Sequence, residues 1–312
     1  MVNSSASVRI VELLDLAEES PSVSQLRPYL QDPEPQVRRT ALSVLSEAPP
    51  SWEEVSPLVA DALGDADRSV ADMAISLLHE LREVLMPSPV FGAKLATAAS
   101  SERVEVRSAA VGSLWRHRLA DLAQLKCYCN DPAAAVRREA VLGMVSLDAL
   151  EDLGAAATDA ASEVRAAVAS GLATIGDPRG VTTLTKLAAD DDHAVRAAAL
   201  RAMATTGCPP EAAVVAREAL RHPSWEVRTA AATALAAATG PLAMEGLVEA
   251  TGDANLDVRK AAVRSLAPWA VNSHVVRSVL EGCADDPDAD VRAFARIALR
   301  DATRPQMERE EI

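Results

Sequence analysis

Apolar residues recur along this chain with a rhythm that one face of a helix explains. Val occurs at Val37, Val70, Val106, Val136, Val164, Val195, Val227, Val258 and Val291. Four residues after each Val comes Ala, as in Ala41, Ala74, Ala110, Ala140, Ala199, Ala231, Ala262 and Ala295, with Val168 the exception. Four residues later again comes Leu45, Leu78, Leu114, Met144, Leu172, Met203, Leu235, Leu266 or Leu299. Steps of four put the three positions on one stripe of a 3.6-residue helix. The stripe predicts nine helices beginning near 35, 68, 103, 134, 162, 193, 225, 256 and 289. Between them the pattern predicts partner helices, for example over 53–63, 119–130 and 211–221, so that each period is a helical hairpin. A small Ala lets a partner helix approach, and Leu or Met fills the space between neighbouring hairpins.

Polar columns keep the same register. The residue after each Val is Arg in eight of nine copies, namely Arg38, Arg107, Arg137, Arg165, Arg196, Arg228, Arg259 and Arg292, with Ala71 the exception. The steps along this column are 33, 36, 30, 28, 31, 32, 31 and 33 residues, a period that marks a tandem array rather than a globular core. Six residues before the column stand Asp32, Asp65, Asp131, Asp159, Asp190, Asp253 and Asp286, with Ser101 and His222 in the other two copies. An Asp there, often followed by Pro, is expected to be a cap and a turn in one: it ends the first helix and lies near the N-terminus of the second, where free N–H groups and the helix dipole favour a carboxylate. The reading is therefore an all-α superhelix of about nine hairpins forming one solenoid over 1–312. It has a capping helix near 7–19, repeats over about 22–302, and a charged, disordered tail over about 303–312.

The pattern Asp-Pro-x-x-x-Val-Arg-x-x-Ala-x-x-x-Leu resembles HEAT repeats, of the short bacterial kind found in proteins similar to phycobilisome lyases. The resemblance implies that the Asp and Arg columns form a ladder of hydrogen bonds between adjacent repeats. It assigns structural roles to Asp32, Arg38, Asp131, Arg137, Asp159, Arg165, Asp190, Arg196, Arg228, Asp253, Arg259, Asp286 and Arg292, and it leaves the ladder in doubt at Ala71 and Ser101. It also implies that the second helices line a concave surface, so the residues opposite the buried stripe become the candidates for binding.

Composition narrows the function classes. A net charge of -14 opposes coating a phosphate backbone, which is driven by Lys and Arg displacing counterions. No run approaches the roughly 20 apolar residues needed to cross a bilayer, and the chain is read as cytoplasmic. Four cysteines are too few to staple this length; Cys127 and Cys129 point to different sides of a helix and are read as packing thiols.

On the exposed face, the position five after the Arg column reads Ser43, Ser76, Gly112, Leu142, Ser170, Arg201, Thr233, Arg264 and Ile297. Ala166, Ala167, Ala197, Ala198 and Ala230, with Thr229 and the Ser and Thr above, suggest a smooth floor for a helix or extended peptide. Arg39, Arg138, Leu142, Arg201, Lys260 and Arg264 are the candidate partner contacts, and their charge suits an acidic segment. Trp115 and Trp269 are candidate anchors, with burial at repeat junctions the competing account.

The five histidines share no repeat position and no His-x-x-x-His spacing, so no metal or cofactor is expected. His79-Glu80 resembles the His-Glu pairs of HEAT-repeat deoxyhypusine hydroxylases, but that family needs several such pairs. His222, in a turn position, is read as a cap. No phosphate loop, nucleophile elbow or other catalytic signature occurs. The leading expectation is a scaffold or adaptor for a protein or peptide. Two others stay open: a lyase-like or chaperone-like accessory resembling bilin lyases, and a HEAT-like DNA-alkylation glycosylase, which the charge opposes.

Overall fold

The computed structural model describes residues 5–19, 21–47 and 51–310, without the side chains of 304–310. Among these residues there are nineteen α-helices and no strand. The chain divides into two compact units, Met1–Leu147 and Asp148–Ile312.

In the first unit, α1 (Ala6–Glu18) precedes four hairpins: α2 (Val23–Leu30) with α3 (Pro35–Glu47), α4 (Trp52–Ala62) with α5 (Arg68–Glu80), α6 (Pro89–Ala98) with α7 (Val104–Arg116), and α8 (Leu122–Tyr128) with α9 (Ala134–Ser146). The second unit holds five: α10 (Leu150–Ala156) with α11 (Ser162–Ile175), α12 (Val181–Leu187) with α13 (His193–Thr206), α14 (Pro210–Ala219) with α15 (Trp225–Leu235), α16 (Pro241–Ala250) with α17 (Leu256–Leu266), and α18 (His274–Cys283) with α19 (Ala289–Glu310). Helix α19 continues to Glu310, through most of the segment read as a disordered tail. Residues 311–312 lie outside the described residues.

Within each unit the second helices form a continuous layer. Contacts run α1 to α3, α5, α7 and α9 in the first unit, and α11 to α13, α15, α17 and α19 in the second. All nine Val of the first column are at most 1 % exposed, and every residue of the Ala column is fully buried. Each Val contributes roughly 1.5–3 kcal/mol of burial, which is why the pattern alone locates the second helices.

Of the two roles expected of the Asp column, turn and cap, its side chains perform the turn. Asp32, Asp65, Asp131, Asp159, Asp190, Asp253 and Asp286 each accept, through Oδ1, the backbone N–H two residues ahead at 2.7–2.9 Å. They close the turn before the second helix. Where a side chain caps that helix, it comes two residues later: Asp67 on α5, Asp192 on α13, Ser224 on α15 and Asn255 on α17. The turn oxygen is thus already committed before the helix begins, and the next polar residue takes the cap.

The carboxylate's remaining capacity goes to the preceding repeat. Arg Nε and Nη2 make a two-pronged bond to the next Asp, joining Arg9 to Asp32, Arg38 to Asp65, Arg107 to Asp131, Arg165 to Asp190, Arg228 to Asp253 and Arg259 to Asp286 at 2.6–3.1 Å. Nη1 of each Arg from Arg38 onward turns back to carbonyls of its own turn, as from Arg165 to Asp159 and Ala160. Arg137 and Arg292 bind their own turns in the same way. These planar forks match the carboxylate. The Arg165 hydrogen bond is the main reason Asp190 holds its proton less tightly than an ordinary carboxylate, and Arg259 does the same to Asp286.

Val8-Arg9 was not part of the nine-copy column, yet Arg9 fills the rung to Asp32. The signal was present in the dipeptide and in Leu16, seven residues beyond. It was obscured because Glu12 stands where the other copies have Ala.

Candidate partner-binding surface

The second-helix layer exposes a narrower strip than its sequence suggests. Ala167, Ala197, Ala198 and Ala230 are buried, so the proposed Ala floor is largely consumed in contacts with adjacent helices. At 3.6 residues per turn, a helix flanked on both sides by equivalent helices and backed by a third keeps only about one position per turn clear. That position is most often the fifth after the Arg column: Ser76, Ser170, Arg201, Arg264 and Ile297 are exposed, whereas Ser43, Leu142 and Thr233 are half-buried and Gly112 is buried.

In the first unit, Arg39 is exposed on α3, and Arg138 on α9 is half-exposed and approaches Glu139 at 3.4 Å. Glu139 is a buried carboxylate that also accepts from Trp115 Nε1 at 3.0 Å and pairs with Arg116 at 3.1 Å. Arg116 lies over the Trp115 ring at 4.4 Å. Gly112 makes this possible: a Cβ there would fall 2.4 Å from Arg116 Nη1 and 3.0 Å from Glu139 Oε2. Trp115 is therefore a member of a satisfied polar cluster, and Arg138 is partly drawn into it. The cluster was missed in the sequence because its members occupy four different repeat positions.

In the second unit, Arg201 is exposed on α13 and has no ion pair among the described residues. Lys260 is already engaged, with Asp290 at 2.8 Å; that hydrogen bond, first among the causes, makes its ammonium harder to deprotonate than usual. Arg264 is exposed and stands over the Phe294 ring at 5.3 Å. Here the strip opens into a cleft of about 410 Å³ between α17 and α19, bordered by Arg264, Pro268, Val271, Phe294, Ile297 and Asp301. Ile297 is 46 % exposed. Arg264 and Ile297 were readable from the column, whereas Pro268 and Val271 come from the 3-10 turn over residues 267–271.

Other candidates disperse. His79 bonds the Ile75 carbonyl through Nδ1, and among the described residues no three His, Cys, Asp or Glu side chains are placed to hold a metal. Cys127 is exposed rather than packed, while Cys208 is buried, which pushes its thiol up to about 11. Trp225, not singled out as an anchor, is 40 % exposed. No helix among the described residues is long and apolar enough to cross a membrane.

The family model described as HEAT repeats matches residues 122–204, 150–236 and 213–300. No curated protein sequence gives a significant match. Among solved structures, an engineered protein is 21% identical with a TM-score of 0.57, covering 97% of both chains. The Escherichia coli protein YibA is 18% identical with a TM-score of 0.60, over 78% of this chain and 91% of its own. Kap95p, whose binding induces the switch loops of RanGDP to adopt the GTP-bound conformation, is 14% identical with a TM-score of 0.59 over 97% of this chain. The chain spans only 50% of that Kap95p chain, and at these identities the likeness is one of fold. With matched repeats from 122 to 300, more than half of its length, and the same hairpins and ladder before them, the chain belongs to the HEAT-repeat proteins.

Proposed function

We propose that this chain is a protein-interaction scaffold that holds a partner protein or peptide along the exposed strip of its second helices. The partner places an apolar side chain in the α17–α19 cleft and an acidic one near Arg264 and Arg201. The single observation that carries this reading is the cleft itself: it combines an exposed Ile297 with Phe294, Val271 and Pro268 beneath an exposed guanidinium. An apolar recess with one charged neighbour is what an anchoring side chain needs. Arg39 and Arg138 offer weaker contacts of the same sign in the first unit. A cytoplasmic setting is supported by four cysteines that are all free.

The test pairs Arg201→Glu and Arg264→Glu with, separately, Ile297→Asp. Helix content by circular dichroism should be unchanged, because all three sites are exposed. Proximity cross-linking in native lysate should lose the same partner band in both variants. An unchanged cross-linking pattern in both would overturn the reading.

A further inference from the structure

One rung in the second unit has kept its arginine and lost its acid. In the complete rungs the guanidinium gives Nη1 to its own turn and its Nε/Nη2 edge to the next Asp. For Arg196, the residue at the next Asp position is His222. Arg196 instead donates Nε to the Asp190 carbonyl, and its two Nη groups have no acceptor among the described residues. His222 keeps the turn-closing half of the missing residue's work: its Nδ1 accepts the Ser224 N–H at 3.1 Å. With Nδ1 accepting, the ring proton sits on Nε2, which is a donor. A place that in other rungs holds a two-oxygen acceptor therefore has, among the described residues, the Arg196 Nη groups on one side and the His222 Nε2 donor on the other.

The surrounding acids are already committed. Asp190 is held by Arg165 at 2.6 Å, Asp192 caps α13, and Glu226 accepts from Ser224 Oγ at 2.5 Å. Arg228 is neutralised by Asp253 at 2.7 Å. Arg196 and His193 contribute positive charge toward His222, and together with burial, the larger cause, they lower its affinity for a proton. Trp225, three residues beyond His222, opens α15 with its side chain 40 % exposed.

We propose that Arg196 and His222 form a slot for a carboxylate side chain of a partner protein, which completes the rung from outside. A carboxylate is favoured because the neighbouring rungs show the guanidinium bound each time by two oxygens of a planar acid. The slot lies at the turn side of α13 and α15 and does not involve the cleft between α17 and α19. The two readings therefore succeed or fail separately.

The test follows the Arg Nε–H signals and the Trp225 indole N–H of the ¹⁵N-labelled full chain during titration with acetate and, in parallel, inorganic phosphate. Arg196→Lys and Trp225→Phe assign the two signals. Acetate should shift the Arg196 and Trp225 signals saturably in the wild type. In His222→Asp the internal acid should occupy the slot, abolishing the acetate response and raising the melting temperature. In Arg196→Ala the Trp225 response should weaken about tenfold or more, as expected for loss of a charge-assisted pair. Absence of an Arg196 response in the wild type, or an equal response in His222→Asp, would overturn the proposal. A response to phosphate without one to acetate would overturn the carboxylate assignment.

Discussion

Between α5 and α7 the ladder has lost both of its members, whereas between α13 and α15 it has lost only the acid. In the first unit Ala71 replaces the arginine and Ser101 the aspartate. Ser101 Oγ still closes its turn on the Arg103 N–H at 3.2 Å, and no unmatched charge remains. A new pair of reversed polarity stands beside the lost rung, with Arg103, two residues after Ser101, meeting Asp72, one residue after Ala71, at 2.5 Å. In the second unit His222 also closes its turn, but Arg196 stays charged and partly buried. The two interruptions separate the roles of the Asp column. Turn closure needs any short acceptor and survives in both, while the interstrut bond between repeats needs a carboxylate. A turn that loses both partners is neutral, and one that loses the acid alone leaves a donor array without its acceptor.

The largest effect should come from converting a complete rung into the second kind of gap. Asp190→Ala strands Arg165 and opens a turn, and should destabilise by about 2–4 kcal/mol in chemical denaturation. Asp190→Ser keeps a turn acceptor and should recover part of that loss; equal losses would show that turn closure contributes little. Next, His222→Asp should stabilise by about 1 kcal/mol, because it restores a carboxylate to Arg196. A decrease would mean that Arg196 is better served by its bond to the Asp190 carbonyl. In the first unit Ala71→Arg alone should give no gain, while Ala71→Arg with Ser101→Asp should give up to about 1 kcal/mol as a non-additive pair. Additivity would show that no rung forms there.

The smallest effects concern pH. Folding lowers the proton affinity of His222 from its ordinary value of 6.5, chiefly through burial. The unfolded chain then binds more protons, so this contribution is fully present above 6.5 and fades as pH falls through that value toward the lower folded pKa. His222→Asp should lack that slope. Asp190 and Asp286, lowered from 3.8 by their arginines, contribute fully above 3.8 and lose their share only at more acid pH. Denaturation midpoints across both ranges, in wild type and in His222→Asp, would test the assignment.

Much of the architecture was legible because each column answers to local physics. Val37 and its equivalents mark buried stripes, and α7 begins at Val104, one residue from the start predicted near 103. Arg201, Arg264 and Ile297 of the fifth column are exposed, while Gly112 in the same column is buried. The Ala floor failed because burial of Ala197 and Ala198 depends on helices placed on either side, which periodicity in one helix does not specify. The Asp column was legible as a turn, but its expected second role as cap falls to the residue two further on in α5, α13, α15 and α17. The atoms show the carboxylate divided between its own turn and the arginine before it.

By itself, the order of residues determined the hairpin period, the buried stripe of every second helix and the identity of the ladder columns. Those depend on contacts a few residues apart and on an interface repeated unchanged. Tertiary structure decided which polar groups are satisfied: that Arg116, Trp115 and Arg138 converge on Glu139, that Lys260 is tied to Asp290, and that Arg196 meets no acid. For Trp115, Arg116 and Lys260, satisfaction is a property of what faces the group from the next repeat. It is fixed only when neighbouring helices come into register.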